Sequence, residues 1–163
     1  MLFTRGETWN NAREKCKKLG AELVKIESAD ENEFIKTTVL RTTASSPVAY
    51  WIGLSDQVKE GEWKWTDGSL LGDKNSNWKI RNPDNFENNE NCGSIAFGSF
   101  SSNGYFWDGG WNDRICDSTL GFICEKVFSI KWDHEEDSIL NFCGIHTHKV
   151  YIFEVKNSII CSV

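Results

Sequence analysis

Six cysteines, at positions 16, 92, 116, 124, 143 and 161, limit what this chain can become more than any other feature of its sequence. They form no Cys-x-x-Cys pair and no histidine stands at zinc-finger spacing, so their even number favours disulfides. Disulfides persist in oxidising compartments, which predicts an extracellular or secreted setting; buried free thiols in a cytosolic chain are the alternative. No apolar run is long enough for a signal peptide, and none approaches the roughly 20 residues of a membrane-spanning helix. Cysteine chemistry and targeting are reconciled if the sequence is cut from a longer secreted or membrane-anchored protein.

A length of 163 residues allows one compact domain with a short appendage. Apolar residues make up only 39%, but eight Trp and ten Phe supply the area for a core. The net charge of -6 argues against nucleic-acid or anionic-membrane partners, which call for basic patches. Enzyme signatures are missing: there is no Gly-x-Ser-x-Gly and no phosphate-cradling glycine loop. The three histidines, His134, His146 and His148, fall late in the chain. His146-Thr147-His148 reads as a polar edge, and the acidic run Asp133 to Asp137 as a solvated turn.

In chain order, residues 2 to 4 read as the end of a first strand whose start is missing. Thr8 opens a helix to Leu19, with Trp9, Ala12, Cys16 and Leu19 recurring along one face. Lys15, Lys17 and Lys18 lie near its C-terminal end, where the helix dipole favours cations, and Gly20 stops it. Ala21 to Ile26 alternates as a short strand. Ser28-Ala29-Asp30-Glu31 is a capping box for a second helix with Phe34, Ile35 and Val39 inward, ending at Thr42 to Pro47. Tyr50 to Leu54 is a nearly continuous apolar run, as for a strand buried on both faces. Trp63-Lys64-Trp65 alternates, Asp67-Gly68 is a turn, and Cys92 to Phe97 is a strand. A Gly/Ser/Asn loop runs on to Gly110, and Gly121 to Cys124 is the last strand. The fold class is therefore α+β, two helices followed by short strands and long loops, and loops of this length are usually functional.

The stretch from Asn82 to Asp113 is rich in side-chain oxygen. Calcium takes about 6 to 8 oxygens from carboxylates, amides, backbone and water, and Asn82, Asp84, Glu90, Asn112 and Asp113 can offer five side chains to one ion. The plainer reading is a set of turns, because Asn and Asp cap their own backbone and Pro presets φ.

Five motifs then occur in order: Trp51-Ile52-Gly53-Leu54, Asn82-Pro83-Asp84, Glu90 two residues before Cys92, Trp111-Asn112-Asp113, and Cys116 followed by Gly121-Phe122-Ile123-Cys124-Glu125. Together they resemble a C-type lectin-like domain over residues 3 to 125, so that 1–125 is the domain and 126–163 a tail of unknown structure. The resemblance implies disulfides Cys16–Cys124 and Cys92–Cys116. Cys143 and Cys161 are left for a third, and Lys149 to Val155 is strand-like.

By the same resemblance, Asn82, Asp84, Glu90, Asn112 and Asp113 hold Ca2+, and a cis bond before Pro83 turns the flanking carbonyls toward the ion; cis bonds are nearly confined to X-Pro. Sugar contacts fall to Asn82, Asp84, Phe86, Glu90 and Asn112. The tripeptide departs from pattern: mannose-type members carry Glu-Pro-Asn and galactose-type members Gln-Pro-Asp. Amide-first order leans to galactose or N-acetylgalactosamine, although Asn82 is one methylene shorter than Gln. Phe86 stands where galactose binders place an aromatic for stacking. A second calcium site would use Asp56, Glu60, Asn85, Glu90 and Asn91, weak or empty because two positions hold amides; for Asp56 and Glu60 the alternative is a solvated turn. The function implied is a calcium-dependent module that binds glycans or glycoproteins, not an enzyme. The alternative is a protein-recognition module on the same fold.

Overall fold

The computed structural model describes residues 1–42, 48–72, 76–99, 106–126, 151–155 and 158–162. Its elements are β1 (Leu2–Glu7), α1 (Trp9–Lys18), β2 (Glu22–Leu23), α2 (Ala29–Thr42), β3 (Val48–Ser55), β4 (Lys64–Trp65), β5 (Cys92–Ser99), β6 (Phe106–Arg114), β7 (Leu120–Glu125), and a hairpin of β8 (Tyr151–Val155) and β9 (Ser158–Ser162). The main sheet runs β1-β7-β3-β5-β6, with β2 paired to β7 and β4 to β3. It is mixed, since β3 and β7 are parallel while the other pairs are antiparallel.

Both helices start where side-chain caps allow. The Thr8 hydroxyl accepts the Asn11 N–H at 3.4 Å, and the Ser28 hydroxyl accepts that of Glu31 at 3.1 Å. Such caps satisfy N–H groups left over by the first helical turn. The return bond of the box goes one residue further back than expected, with the Glu31 carboxylate accepting from the Glu27 N–H. Trp9, Ala12 and Cys16 are buried on α1, whereas Leu19, expected on the same face, is 46% exposed. Leu19 is the C-cap, with ψ near 5°, so its side chain leaves the helical stripe.

β3 explains the apolar run. Tyr50, Ile52 and Leu54 pack on one face with Ile35 and Val39 of α2, while Trp51 packs on the other with Trp9 and Cys16 of α1. Three buried indoles find an acceptor: Trp9 donates to the Ile52 carbonyl, Trp51 to that of Glu7 and Trp111 to the Asn32 amide oxygen. Unpaired, each would cost about 1–3 kcal/mol. Cys16 is bonded to Cys124 and Cys92 to Cys116, as the resemblance implied.

Four expectations are corrected. The first strand extends to Glu7 rather than ending at residue 4. The strand read over Ala21 to Ile26 shrinks to Glu22–Leu23, since only these two pair with Glu125 and Cys124 of β7. The loop read as far as Gly110 is β strand from Phe106, because β5 pairs with it from Ser99 back to Cys92. Leu19 is the fourth. The tail's strand begins at Tyr151, and within the hairpin Tyr151 faces Ser162. A Cys143–Cys161 bond, the histidines and the acidic run 133–137 lie outside the described residues.

Candidate metal centre

β6 carries two of the five predicted ligands, Asn112 and Asp113, and the Asn82 loop the other three. The loop first runs alongside the outer edge of β6: the Trp111 N–H donates to the Asn77 carbonyl at 2.8 Å, and the Lys79 N–H to the Trp111 carbonyl at 3.0 Å. This pairing leads the chain to Asn82, whose bond to Pro83 is cis. Arg81, Asn85, Glu87 and Asn88 then have positive φ, from 42° to 75°. Asn tolerates that region best among residues with a Cβ, because its short amide bonds locally. Asn at two of these four positions, 85 and 88, eases the curl of the loop over a short 3-10 helical turn at Phe86–Asn88.

The curl brings distant side chains together. Ligand oxygens of Asp84, Glu90 and Asp113 lie within 4.8 Å of one another. Asp113 is fully buried, and its carboxylate accepts from the Asn82 amide at 3.1 Å and from the backbone N–H groups of Asp84 at 3.2 Å and Asn85 at 2.6 Å. The Asn82 amide also donates to the side-chain oxygen of Asn112. The Asn112 amide nitrogen in turn donates to the Asp113 carbonyl at 2.7 Å. Asn82, despite its shorter side chain, touches the group, and it does so through its amide nitrogen. All five predicted positions converge.

Three carboxylates so close repel. Glu90 has its carboxyl pushed up to about 7, first by burial and then by the charges of Asp113 and Asp84, against the smaller pull of Arg114 and of the Phe86 N–H. An arrangement that holds several oxygens together at an electrostatic cost suits a hard cation, which takes oxygen ligands and favours their ionised form. The donor set fits Ca2+: carboxylate and amide oxygens, with no thiol or imidazole.

Phe86 stands on the rim, 62% exposed. Of the second predicted group, Asp56, Glu60 and Asn91 meet: the Asn91 amide nitrogen, turned inward, lies 3.2 Å from Glu60 Oε2 and 3.3 Å from Asp56 Oδ1. Asp56 also accepts the Gly61 N–H at 2.8 Å and is only 3% exposed, so the solvated-turn alternative fails for it. Burial raises its pKa, opposed by the Gly61 bond. Asn85 instead turns to the first group, accepting the Glu90 N–H at 3.0 Å. One acid outside this cluster has a titration that the sequence reading did not anticipate. Glu125 is pushed up to about 8 by burial and by the Glu31 charge, and nothing adjacent to it in sequence signals this.

A family model described as Lectin C-type domain matches residues 5–126. The chain is 36% identical over 127 residues to CD209 antigen-like protein D of Mus musculus, covering 77% of this chain and 47% of that one. Among solved structures, the mouse scavenger receptor C-type lectin carbohydrate-recognition domain is 35% identical with a TM-score of 0.61, over 76% of this chain and 84% of that one. The cow CD23 carbohydrate-recognition domain, solved in the presence of a GlcNAc2Man3 oligosaccharide, is 31% identical with a TM-score of 0.60, over 76% and 82%. The chain thus spans about half the length of the first relative and most of the isolated domains.

Proposed function

The chain belongs to the C-type lectin domain family, a family of carbohydrate-binding, non-enzymatic domains, and from that membership we propose that residues 1–125 form a calcium-dependent glycan-binding module. The observation that carries the reading is the convergence of Asp84, Glu90 and Asp113 with the amides of Asn82 and Asn112. These five residues would hold Ca2+, which when bound supplies coordination positions for two neighbouring sugar hydroxyls. Asp113 and the Asn112 amide act from the strand. Asn82, Asp84 and Glu90 act from the loop.

Specificity follows from hydrogen-bond sense. An amide donates where a carboxylate only accepts, so Asn82 before Pro83 and Asp84 after it offer a sugar the reverse of the Glu-Pro-Asn pattern. Galactose and mannose differ in the orientation of the 4-hydroxyl. The amide-first order supports galactose or N-acetylgalactosamine, and the exposed Phe86 ring offers a surface for the apolar face of such a sugar. The Asp56–Glu60–Asn91 group is proposed as a weak second calcium site, its amide contributing no charge. The setting is extracellular, as two disulfides suit, and the partners are glycans or glycoproteins.

The experiment is calcium titration by calorimetry, followed by a glycan array with and without chelator. The expected result is calcium binding and chelator-sensitive capture of galactose-terminated glycans. Calcium binding with no glycan captured would make the protein-recognition alternative the better account. No calcium binding would remove the metal.

A further inference from the structure

A cleft of about 400 Å³ lies between the first half of α2 and the loop segment that borders β6. The loop and β6, two of the three chain segments that line it, also carry the carboxylate cluster. On one segment, Lys79 and Ile80 line the cleft and lead within two residues to Asn82, whose N–H closes back on the Lys79 carbonyl at 2.8 Å. On the other, Asp108 and Gly110 line it, and β6 continues to Asn112 and Asp113. Two residues of strand cover about 7 Å. The cleft therefore begins where the next unit of an oligosaccharide would lie if its end were held at the cluster.

The walls are polar and fixed. Asn32 and Asn77 both donate to the Gly109 carbonyl, at 3.1 and 2.9 Å, which ties α2 and the loop to the same point of β6. Lys36 and Lys79 are matched by Glu33 and Asp108, two cations against two anions, with Lys79 and Asp108 3.6 Å apart on the wall formed by the loop and β6. A sulfated or polyacidic ligand finds no excess of cations here, whereas the hydroxyls of a neutral sugar can both donate and accept. At the junction with the cluster Ile80 is 85% exposed, an apolar surface for the C–H face of a sugar ring.

We infer that this cleft is a subsite for the second and third units of a neutral oligosaccharide, which crosses Ile80 from the carboxylate cluster and hydrogen-bonds Lys79 and Asp108. The inference rests on the glycan-binding reading above. Its test is calorimetry in saturating calcium with two pairs of probes, galactose against lacto-N-neotetraose and mannose against mannotriose, on the unaltered chain and on Asp108→Ala and Ile80→Ser. Both substituted residues are exposed and outside the proposed metal set, so the fold is expected to survive, checked by circular dichroism. For whichever sugar binds, the oligosaccharide is expected to bind about tenfold tighter than the monosaccharide, the equivalent of one or two added contacts. Each substitution should remove most of that gain and leave monosaccharide and calcium affinities unchanged. Equal affinity for short and long probes overturns the subsite while the lectin reading stands. A monosaccharide loss as large as the oligosaccharide loss also overturns it, since the residues would then act on the cluster. Absence of binding by all four probes sinks both readings together.

Discussion

Glu90 is where burial and like charge meet, and its titration near neutrality has a measurable consequence. With its carboxyl pushed up to about 7 in the calcium-free chain, about half of the molecules near that pH carry a proton that must leave before calcium is held. Calcium affinity is expected to fall by up to about tenfold per pH unit below about 7 and to level off above it. Calorimetric titrations across that range check this; affinity that does not change with pH would mean that Glu90 is not a ligand. Phe86 offers a second residue-scale test. Phe86→Ala should weaken galactose binding by about 1 kcal/mol, the worth of an aromatic contact, with calcium affinity unchanged. Equal sugar affinity in the variant would leave Phe86 as an exposed loop residue. At this scale the sequence was informative. Asn82, Asp84, Glu90, Asn112 and Asp113 were all legible as oxygen donors because their chemistry is intrinsic to the side chain, whereas the raised pKa of Glu90 is set first by burial and then by the charges of Asp113 and Asp84, and was not.

At the scale of elements, a tight backbone constraint falls where β3 passes β2. A Cβ on Gly53 would stand 2.7 Å from the Leu23 carbonyl oxygen and 3.1 Å from that of Val24, both backbone atoms, while the Gly53 N–H donates to Val24 at 2.8 Å. Gly53→Ala should therefore destabilise by about 1–3 kcal/mol, as overpacking does. A lower denaturation midpoint with an unchanged slope is the expected readout; an unaltered midpoint would show that the strands can part without cost. The helices were legible because caps and periodicity are local. β6 was not: Phe106 to Gly110 read as loop, and only pairing with β5, interrupted by an irregularity at Gly109, makes a strand of them. β2 was overextended for the same reason, since its length is decided by β7.

For the molecule as a whole, two acids stand out as binding protons more tightly folded than unfolded, Glu90 up to about 7 and Glu125 up to about 8, from an ordinary value of 4.5, and Asp56 is raised in the same sense. The folded state then keeps protons that the unfolded chain releases. Their contribution is complete below about pH 4.5 and is lost as pH rises through about 7 and 8, so in this window stability falls with rising pH. Asp67, lowered to about 2 mainly by its bond with Lys25, has the opposite sense but acts only below its ordinary 3.8. In chelator, Tm is expected to rise as pH is lowered from about 8.5 to about 5. Saturating calcium should reverse much of the Glu90 part. A calcium-free Tm that is flat or falls on acidification would contradict the burial of these two carboxyls.

The sequence by itself determined the α+β class, the start of both helices, the double burial of β3, the order of the motifs and the identity of the oxygen donors. Each of these depends on side-chain chemistry or on neighbours within a turn or two. What only the tertiary structure decided are relations between residues far apart. The Asn82 amide meets Asn112 across 30 positions, and the cleft beside β6 needs α2, the loop and the strand at once. The proton held by Glu125 follows from burial and from a charge on α2. Such relations have no local code: they arise from desolvation and Coulomb forces between groups that only the folded chain brings within a few ångströms.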